Sequence, residues 1–412
     1  MAILLWDVTP AGTMVYGIVQ AGVTLIIPLV SVRRLPRRAA ARARITLLGE
    51  TALDGSNGPN YSTTLASGGK PSQETTEMNL VTGATGLLGS HIVEKLLEAG
   101  EPVRVLVRPT SDTRLLDGWG VDKAIGDITD PDSLPAAMQG VATVYHAAAK
   151  VGDWGPWKHF VAISIDGTRN MLTAARDAGV KRFLHVSSIS AHGHPDGERM
   201  VIDETAPLGV NLHKWSYYSH AKVNAERLAW TAHEAGEVPV TVVRPSWLYG
   251  PRDRASMPRL IQAIRAGKAK LIGDGTNRFN LTHAGNEAEG CILAATSEKA
   301  IGEAYNLSSD GKITQGEYMN KIAQRIGAKP VTKKIPYKVA KSVAFCMELF
   351  GHMFGRKTPP LITRYSVWLL GRKCFFTPAK ARRELGWKAT VGYDEGIRIA
   401  VEYCTRAEHR GE

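Results

Sequence analysis

Cysteine is scarce in this chain. Cys291, Cys346, Cys374 and Cys404 are the only four among 412 residues, and they stand far apart. No pair has metal-ligand spacing, which argues against a metal site or a disulfide framework and leaves reduced thiols in a cytosolic setting as the plain reading. Internal repeats are also missing. Acidic residues nearly vanish over one stretch: between Lys312 and Arg383 sixteen Lys or Arg face only Glu317 and Glu348, so that stretch carries +14 in a chain of net charge +12. Such a surface would suit nucleic acid, but no recognition fold or base-stacking motif accompanies it, so no nucleic-acid partner is expected.

Charge of either sign is absent from Val8 to Val32. That run is long enough to span a bilayer, and the arginines that follow, Arg33 to Arg44, would keep the remainder on the cytoplasmic side. Three glycines, Gln20 and Pro28 thin its hydrophobicity, and 56–77 is a Ser/Thr/Gly-rich linker without structural pattern. Residues 1–77 therefore stand apart as an N-terminal extension. Three readings remain open for it: a membrane anchor, a removable leader, or a start codon placed upstream of the domain that opens at Met78.

What is present begins at Met78. An apolar run ending in Thr82 reads as a strand, Gly83, Gly86 and Gly89 follow at three-residue intervals, and Ser90 to Gly100 has a helical pattern. Gly83 allows a tight turn, Gly86 lets backbone N–H groups approach a pyrophosphate, and Gly89 lets helix and strand pack closely. With a second strand at Pro102–Val107, this order predicts a dinucleotide-binding unit. The end of that second strand is where an acidic residue would hold the ribose hydroxyls of NAD. Here Val107 occupies it and Arg108 follows; a guanidinium can chelate a 2′-phosphate, so NADP(H) is expected over NAD(H), which stays open.

Farther on, Tyr218 and Lys222 lie four apart in Trp215-Ser-Tyr-Tyr-Ser-His-Ala-Lys222. On a helix they share a face, where the ammonium would lower the phenol pKa toward working pH. A tyrosine so tuned can exchange a proton with a carbonyl or alcohol oxygen while a hydride moves at carbon.

In order and content these motifs resemble the extended short-chain dehydrogenase/reductase family, within the NAD-dependent epimerase/dehydratase superfamily, from Met78 almost to the C-terminus. Gly126-Asp127-Ile128 resembles the adenine-contacting turn, and Val144–Ala149 the strand entering the cofactor site. The run ending Ser-Ala-His-Gly193 looks like the fifth strand and Val243–Pro251 like the sixth. The resemblance implies Ser188 as the catalytic hydroxyl, Tyr218 as acid/base and Lys222 as the residue that also holds the nicotinamide ribose. It implies cofactor contacts at Gly83, Thr85, Gly86, Leu87, Leu88, Gly89, Arg108, Asp127, Ile128, Ala147, Ala148, Tyr218, Lys222 and Pro245. Where the family often has an asparagine before the fourth helix, this chain has Ser164.

Arg244-Pro245, Pro359–Arg364 and Phe376–Trp387 resemble the 3β-hydroxysteroid dehydrogenase-like, steroid and sterol-carboxylate branch. Sugar-nucleotide enzymes commonly place an asparagine where Trp247 stands. An indole offers a flat apolar wall and one donor, which suits a ring or alkyl substrate. Trp154, Trp157 and Trp215 could extend that wall or simply pack a core.

The expected fold is α/β. A doubly wound parallel-sheet Rossmann domain would cover 78–249, and a smaller, mainly substrate-binding region would cover 250–412, with amphipathic helices over 257–267 and 314–327. The expected activity is an NAD(P)-dependent interconversion of a secondary alcohol and a ketone on a hydrophobic, sterol-like or long-chain molecule. A sugar-nucleotide epimerase or dehydratase with tightly held NAD is the first competitor. A non-catalytic dinucleotide-binding protein is the second, and intact Ser188, Tyr218 and Lys222 argue against it. A homodimer is compatible with the sequence. The expected location is cytoplasmic, with two readings for Val339–Phe354: an interfacial helix drawn by flanking bases to anionic lipid, or a buried helix lining the substrate pocket.

Overall fold

The computed structural model describes residues 77–410 apart from 196, 198–199 and 310, and four short segments near the start. Of these, Trp6–Val8 pairs antiparallel with Met14–Tyr16, and Val19–Gln20 with Val23–Thr24. Most of the uncharged run 8–32 and nearly all of the linker 56–77 lie outside the described residues. Among the described residues no helix is long and apolar enough to cross a membrane.

From Met78 onward the chain winds a seven-stranded sheet. Its strands are β1 (Met78–Thr82), β2 (Val103–Val107), β3 (Asp122–Ile125), β4 (Val141–His146), β5 (Arg182–Val186), β6 (Val240–Pro245) and β7 (Ala304–Leu307). They lie in the order β3-β2-β1-β4-β5-β6-β7, and every neighbouring pair is parallel. Parallel strands need crossovers, and crossover helices cover both faces, so the central strands read as continuous apolar runs. β5 and β6 are accordingly buried at every position. The order reverses between β1 and β4, which opens a crevice at the carboxyl ends of the strands.

Strand alternation divides the core into two layers. Val81, Val105, Leu184 and Val243 pack with Ile92, Val93 and Leu96 of helix α1 (Leu87–Glu98) and with Ala288, Cys291 and Ala295 farther on. Leu80, Val144, Phe183 and Val242 face the other way, against Met171 and Leu172 of α2 (Gly167–Asp177) and Ala229 and Ala232 of α3 (Tyr217–Glu234). The sheet reaches past the boundary expected at 249: β7 comes from 304–307, and α5 (Ala284–Thr296) packs on α1.

A third core unites α4 (Ser256–Arg265), α6 (Gln315–Arg325) and the C-terminal helix α9 (Tyr393–Arg410) through Ile261, Ile264, Tyr318, Ile322, Ile397 and Val401. The two amphipathic patterns are thus helical, and Thr314 and Glu317 close a capping box at the start of α6. Between α6 and α9 lie α7 (Tyr337–Met353) and α8 (Arg364–Gly371).

One buried ion pair ties α3 to the sheet. Glu226, fully buried, accepts from Arg244 Nη2 at 2.6 Å and Nε at 3.1 Å, from Ser187 Oγ at 2.5 Å and from Trp230 Nε1 at 3.2 Å. Removing one partner of such a pair strands the other charge in low dielectric, whereas replacing both by apolar groups of similar size can be nearly neutral. Glu226→Ala should therefore lower unfolding free energy by about 3–5 kcal/mol, and Glu226→Leu with Arg244→Met by clearly less, read by denaturant titration. Equal losses for single and double variants would contradict this assignment.

Candidate active site

The glycine loop after β1 is built by close approach. Gly83 has φ +69°, and a Cβ there would lie 2.9 Å from the Ala148 amide nitrogen. At Gly89 a Cβ would sit 2.2 Å from the Gly83 carbonyl oxygen, so only hydrogen fits. Thr82 Oγ1 accepts from the Ala148 amide at 3.2 Å, which locks the end of β4 to the loop. Gly86 is the N-cap of α1 and supplies no side-chain cap, leaving the first helical amides for an anionic ligand. This cradle fits a dinucleotide pyrophosphate. Thr85 and Leu87 line the loop half-buried, whereas the Leu88 side chain is committed to the core, so only its backbone can serve.

At the adenosine end, Arg108 is exposed directly after β2, and its amide donates to Ser111 Oγ at 3.1 Å. The nearby acid is already engaged: Arg114 grips Asp112 with two hydrogen bonds of 2.9 Å and Arg254 lies 3.6 Å away, which holds its carboxyl down at about 2. Gly126 N donates to Val107 O at 3.0 Å, bringing Asp127 beside the end of β2. Asp127 Oδ1 accepts from Thr129 N and Oγ1, and Ile128 is buried beneath Gly167.

Ser188, Tyr218 and Lys222 converge where β5 ends and α3 begins. Ser188 caps a short turn, its Oγ accepting from Ser190 N at 3.1 Å, and Lys222 Nζ donates to Val186 O at 2.7 Å. Pro245 ends the neighbouring β6. Burial pushes the Lys222 ammonium down to about 8, with Glu226 opposing. Here the structure corrects the sequence expectation for Tyr218. Its phenol pKa is raised, not lowered: burial outweighs hydrogen bonding with Ser188, and Lys222 Nζ is turned to Val186, 6.0 Å from the ring centroid. The two nearby imidazoles are disfavoured as cations. His146, bonded to Thr82 Oγ1 at 2.9 Å and Thr168 Oγ1 at 3.0 Å, is held at about 3 by burial and by Lys222, and His185 is lowered by the same two causes.

Ser164 lies in a single π-helical turn, Val161–Asp166, just before α2. Its hydroxyl accepts from Lys150 N at 2.9 Å and is thus committed to backbone. π-turns are frequent at functional sites, but no sequence signal marks this one.

The tryptophans part company. Trp154 packs tilted against His352, with ring centroids 4.4 Å apart, and donates to Arg356 O at 2.9 Å; its ring occupies the space that a Cβ on Gly351 would need. Trp215 lies 4.8 Å from His352 and stacks on Phe345 at 6.1 Å, with the Arg364 guanidinium 5.3 Å above it. Trp157 packs on Tyr217 at 5.5 Å. Trp247 instead meets Phe279 at 5.4 Å beside the third core.

Sequence reasoning missed Tyr365 and Asp153. Tyr365 lies 6.2 Å from the Tyr218 ring, and burial, then Tyr218 and Asp153, push its phenol up. Asp153 accepts from Thr363 Oγ1, and burial raises its carboxyl. The Pro359–Arg364 motif was the available signal; it ends one residue short of Tyr365.

A lysine held at about 8 rather than its ordinary 10.5 costs stability whenever it is charged in the fold. The cost is full below about pH 8 and shrinks as pH rises toward 10.5. Lys222→Met should therefore stabilise the protein at pH 7 by about 1–3 kcal/mol, allowing for the lost bond to Val186 O, and the gain should shrink at pH 9.5. Denaturant titrations at both pH values check it.

Three comparisons bear on this geometry. A 2-alkyl-3-oxoalkanoate reductase of Stenotrophomonas maltophilia is 32% identical over 77% of this chain and 97% of its own length. The sterol-4-alpha-carboxylate 3-dehydrogenase, decarboxylating, of Mus musculus is 29% identical over 78% of this chain and 89% of its own. The crystal structure of gox2253 superimposes with a TM-score of 0.67 at 30% identity, covering 81% of this chain and 99% of that one. Because the sequence profile of that family matches residues 79–308, across the glycine cradle, the Ser188/Tyr218/Lys222 cluster and all seven strands, the chain belongs to the NAD dependent epimerase/dehydratase family.

Proposed function

We propose that this protein is an NADP(H)-preferring oxidoreductase that interconverts a ketone and a secondary alcohol on a large apolar substrate. The observation that carries the proposal is the placement of Tyr218 between Ser188 and Lys222, with the Tyr365 ring 6.2 Å away and the Trp215–Phe345 stack starting three residues before Tyr218. When bound, the nicotinamide supplies or accepts the hydride. Ser188 donates a hydrogen bond to the substrate oxygen. Tyr218, whose raised pKa keeps it protonated near neutral pH, gives its proton to that oxygen as the ketone is reduced, and takes it back in the reverse direction. Lys222 holds a positive charge beside the phenol as it loses its proton and braces the end of β5 through Val186 O.

The relatives named above, a reductase of 2-alkyl-3-oxoalkanoates and a sterol dehydrogenase, support an apolar substrate. The exposed Arg108 guanidinium, in no salt bridge among the described residues, with Asp112 already taken by other arginines, supports NADP(H).

Tyr218→Phe should lower kcat by roughly a hundredfold or more with a long-chain 3-oxo or sterol ketone, while NADP(H) affinity stays nearly intact. Turnover close to wild type would remove Tyr218 from the mechanism, and NAD retained through purification would instead favour epimerase chemistry. Arg108→Ala should weaken NADP(H) binding by about 1.5–3 kcal/mol and barely change NAD(H) binding. Fluorescence titration of both cofactors decides this; equal losses would mean that Arg108 does not read the phosphate.

A further inference from the structure

Helix α7 has two unlike faces. Ala340, Ala344, Glu348 and Gly351 are buried against the protein. Val339, Val343, Cys346, Phe350 and Met353 recur at steps of four and three residues along the opposite side, and all are exposed. Phe354 follows at 75% exposure, and Leu361, in the next loop, at 89%. Exposed apolar residues scattered singly need no explanation, but a continuous stripe of this length marks an interaction surface.

The charges around the stripe identify its partner. Lys334 and Lys338 lie exposed at one end and Arg356 and Lys357 at the other, and none forms a salt bridge among the described residues. No acid sits on the exposed face. Glu348, the only acid of α7, is buried and accepts from Arg364 N and Nε at 2.6 Å each. A second copy packed on this face would gather bases with nothing to neutralise them. A helix lying flat in a lipid interface needs an apolar stripe flanked by bases at headgroup level.

We propose that the outer face of α7 docks on an anionic lipid bilayer. The stripe enters the acyl boundary, and Lys334, Lys338, Arg356 and Lys357 meet the headgroups. Docking does not depend on the catalytic reading, although the same helix supplies Phe345 and His352 to the aromatic residues next to Tyr218.

Cys346 gives a direct test, because it is exposed on this face while Cys291, Cys374 and Cys404 are buried. The full-length protein, labelled at Cys346 with an environment-sensitive fluorophore, is titrated with vesicles of phosphatidylcholine alone or mixed with phosphatidylglycerol. The emission should shift to the blue with the anionic vesicles only. The shift should reverse as salt shortens the Debye length from about 10 Å at 0.1 M to about 3 Å at 1 M. Lys334→Gln with Lys338→Gln should leave the melting temperature unchanged and weaken vesicle affinity about thirtyfold. No shift with anionic vesicles would overturn the proposal, as would undiminished affinity in the double variant. So would a lipid-independent shift that grows with protein concentration, which would make the stripe a contact between copies.

Discussion

The buried Glu226 carboxylate holds the Ser188, Tyr218 and Lys222 cluster together. Through Arg244 it binds α3 to β6, through Ser187 it binds α3 to the end of β5, and Trp230 closes its last open side. Ser188 follows directly on Ser187, and Lys222 lies one helical turn before Glu226. The register between the hydroxyl on the sheet and the phenol and ammonium on the helix is therefore set by a charge that tolerates no slippage, because a displaced carboxylate would be left unpaired in low dielectric. Arg244 carries the network on to His192 and to Glu204 O, each at 3.3 Å, and Glu204 in turn accepts from Asn306 N of β7 at 2.7 Å.

Burial sets the proton inventory of the site. His146 and His185 are both disfavoured as cations, and Lys222 is brought to about 8, so the positive charge beside Tyr218 is weakly compensated and sensitive to its surroundings. The same burial makes the phenol a poorer acid than the four-residue spacing suggested. Spacing places two groups on one face; it does not say that the longer side chain will turn to a backbone carbonyl on the neighbouring strand.

The stretch 312–383 shows how few acids a basic segment needs when each is placed. Glu317 completes the capping box of α6. Glu348 receives Arg364, whose guanidinium also lies 5.3 Å over Trp215 and 5.1 Å over Phe345. That contact, with Thr363 donating to Asp153, brings the start of α8 against the residues next to Tyr218. The segment's bases at the ends of the α7 stripe are left facing outward.

Local spacing was enough to reveal the parallel α/β fold, the glycine cradle and the pairing of Tyr218 with Lys222, because each rests on short-range rules: strand, turn and helix within a few residues, and one helix face for i and i+4. Ser188, 30 residues before Tyr218, was named only by the family resemblance. Family membership followed from the same motifs in order. Contacts between distant segments were not legible in that way. The seventh strand comes from 304–307, beyond the boundary at 249 that the alternation of strand and helix patterns suggested. Trp154 and Trp215 meet on α7, whereas Trp247 turns to Phe279, and Tyr365 arrives beside Tyr218 from 147 residues along the chain. The direction of the Tyr218 and Lys222 pKa shifts belongs to the same class. Sequence names the ionisable groups, but desolvation depends on what the whole fold packs around them, and only the tertiary structure decides that.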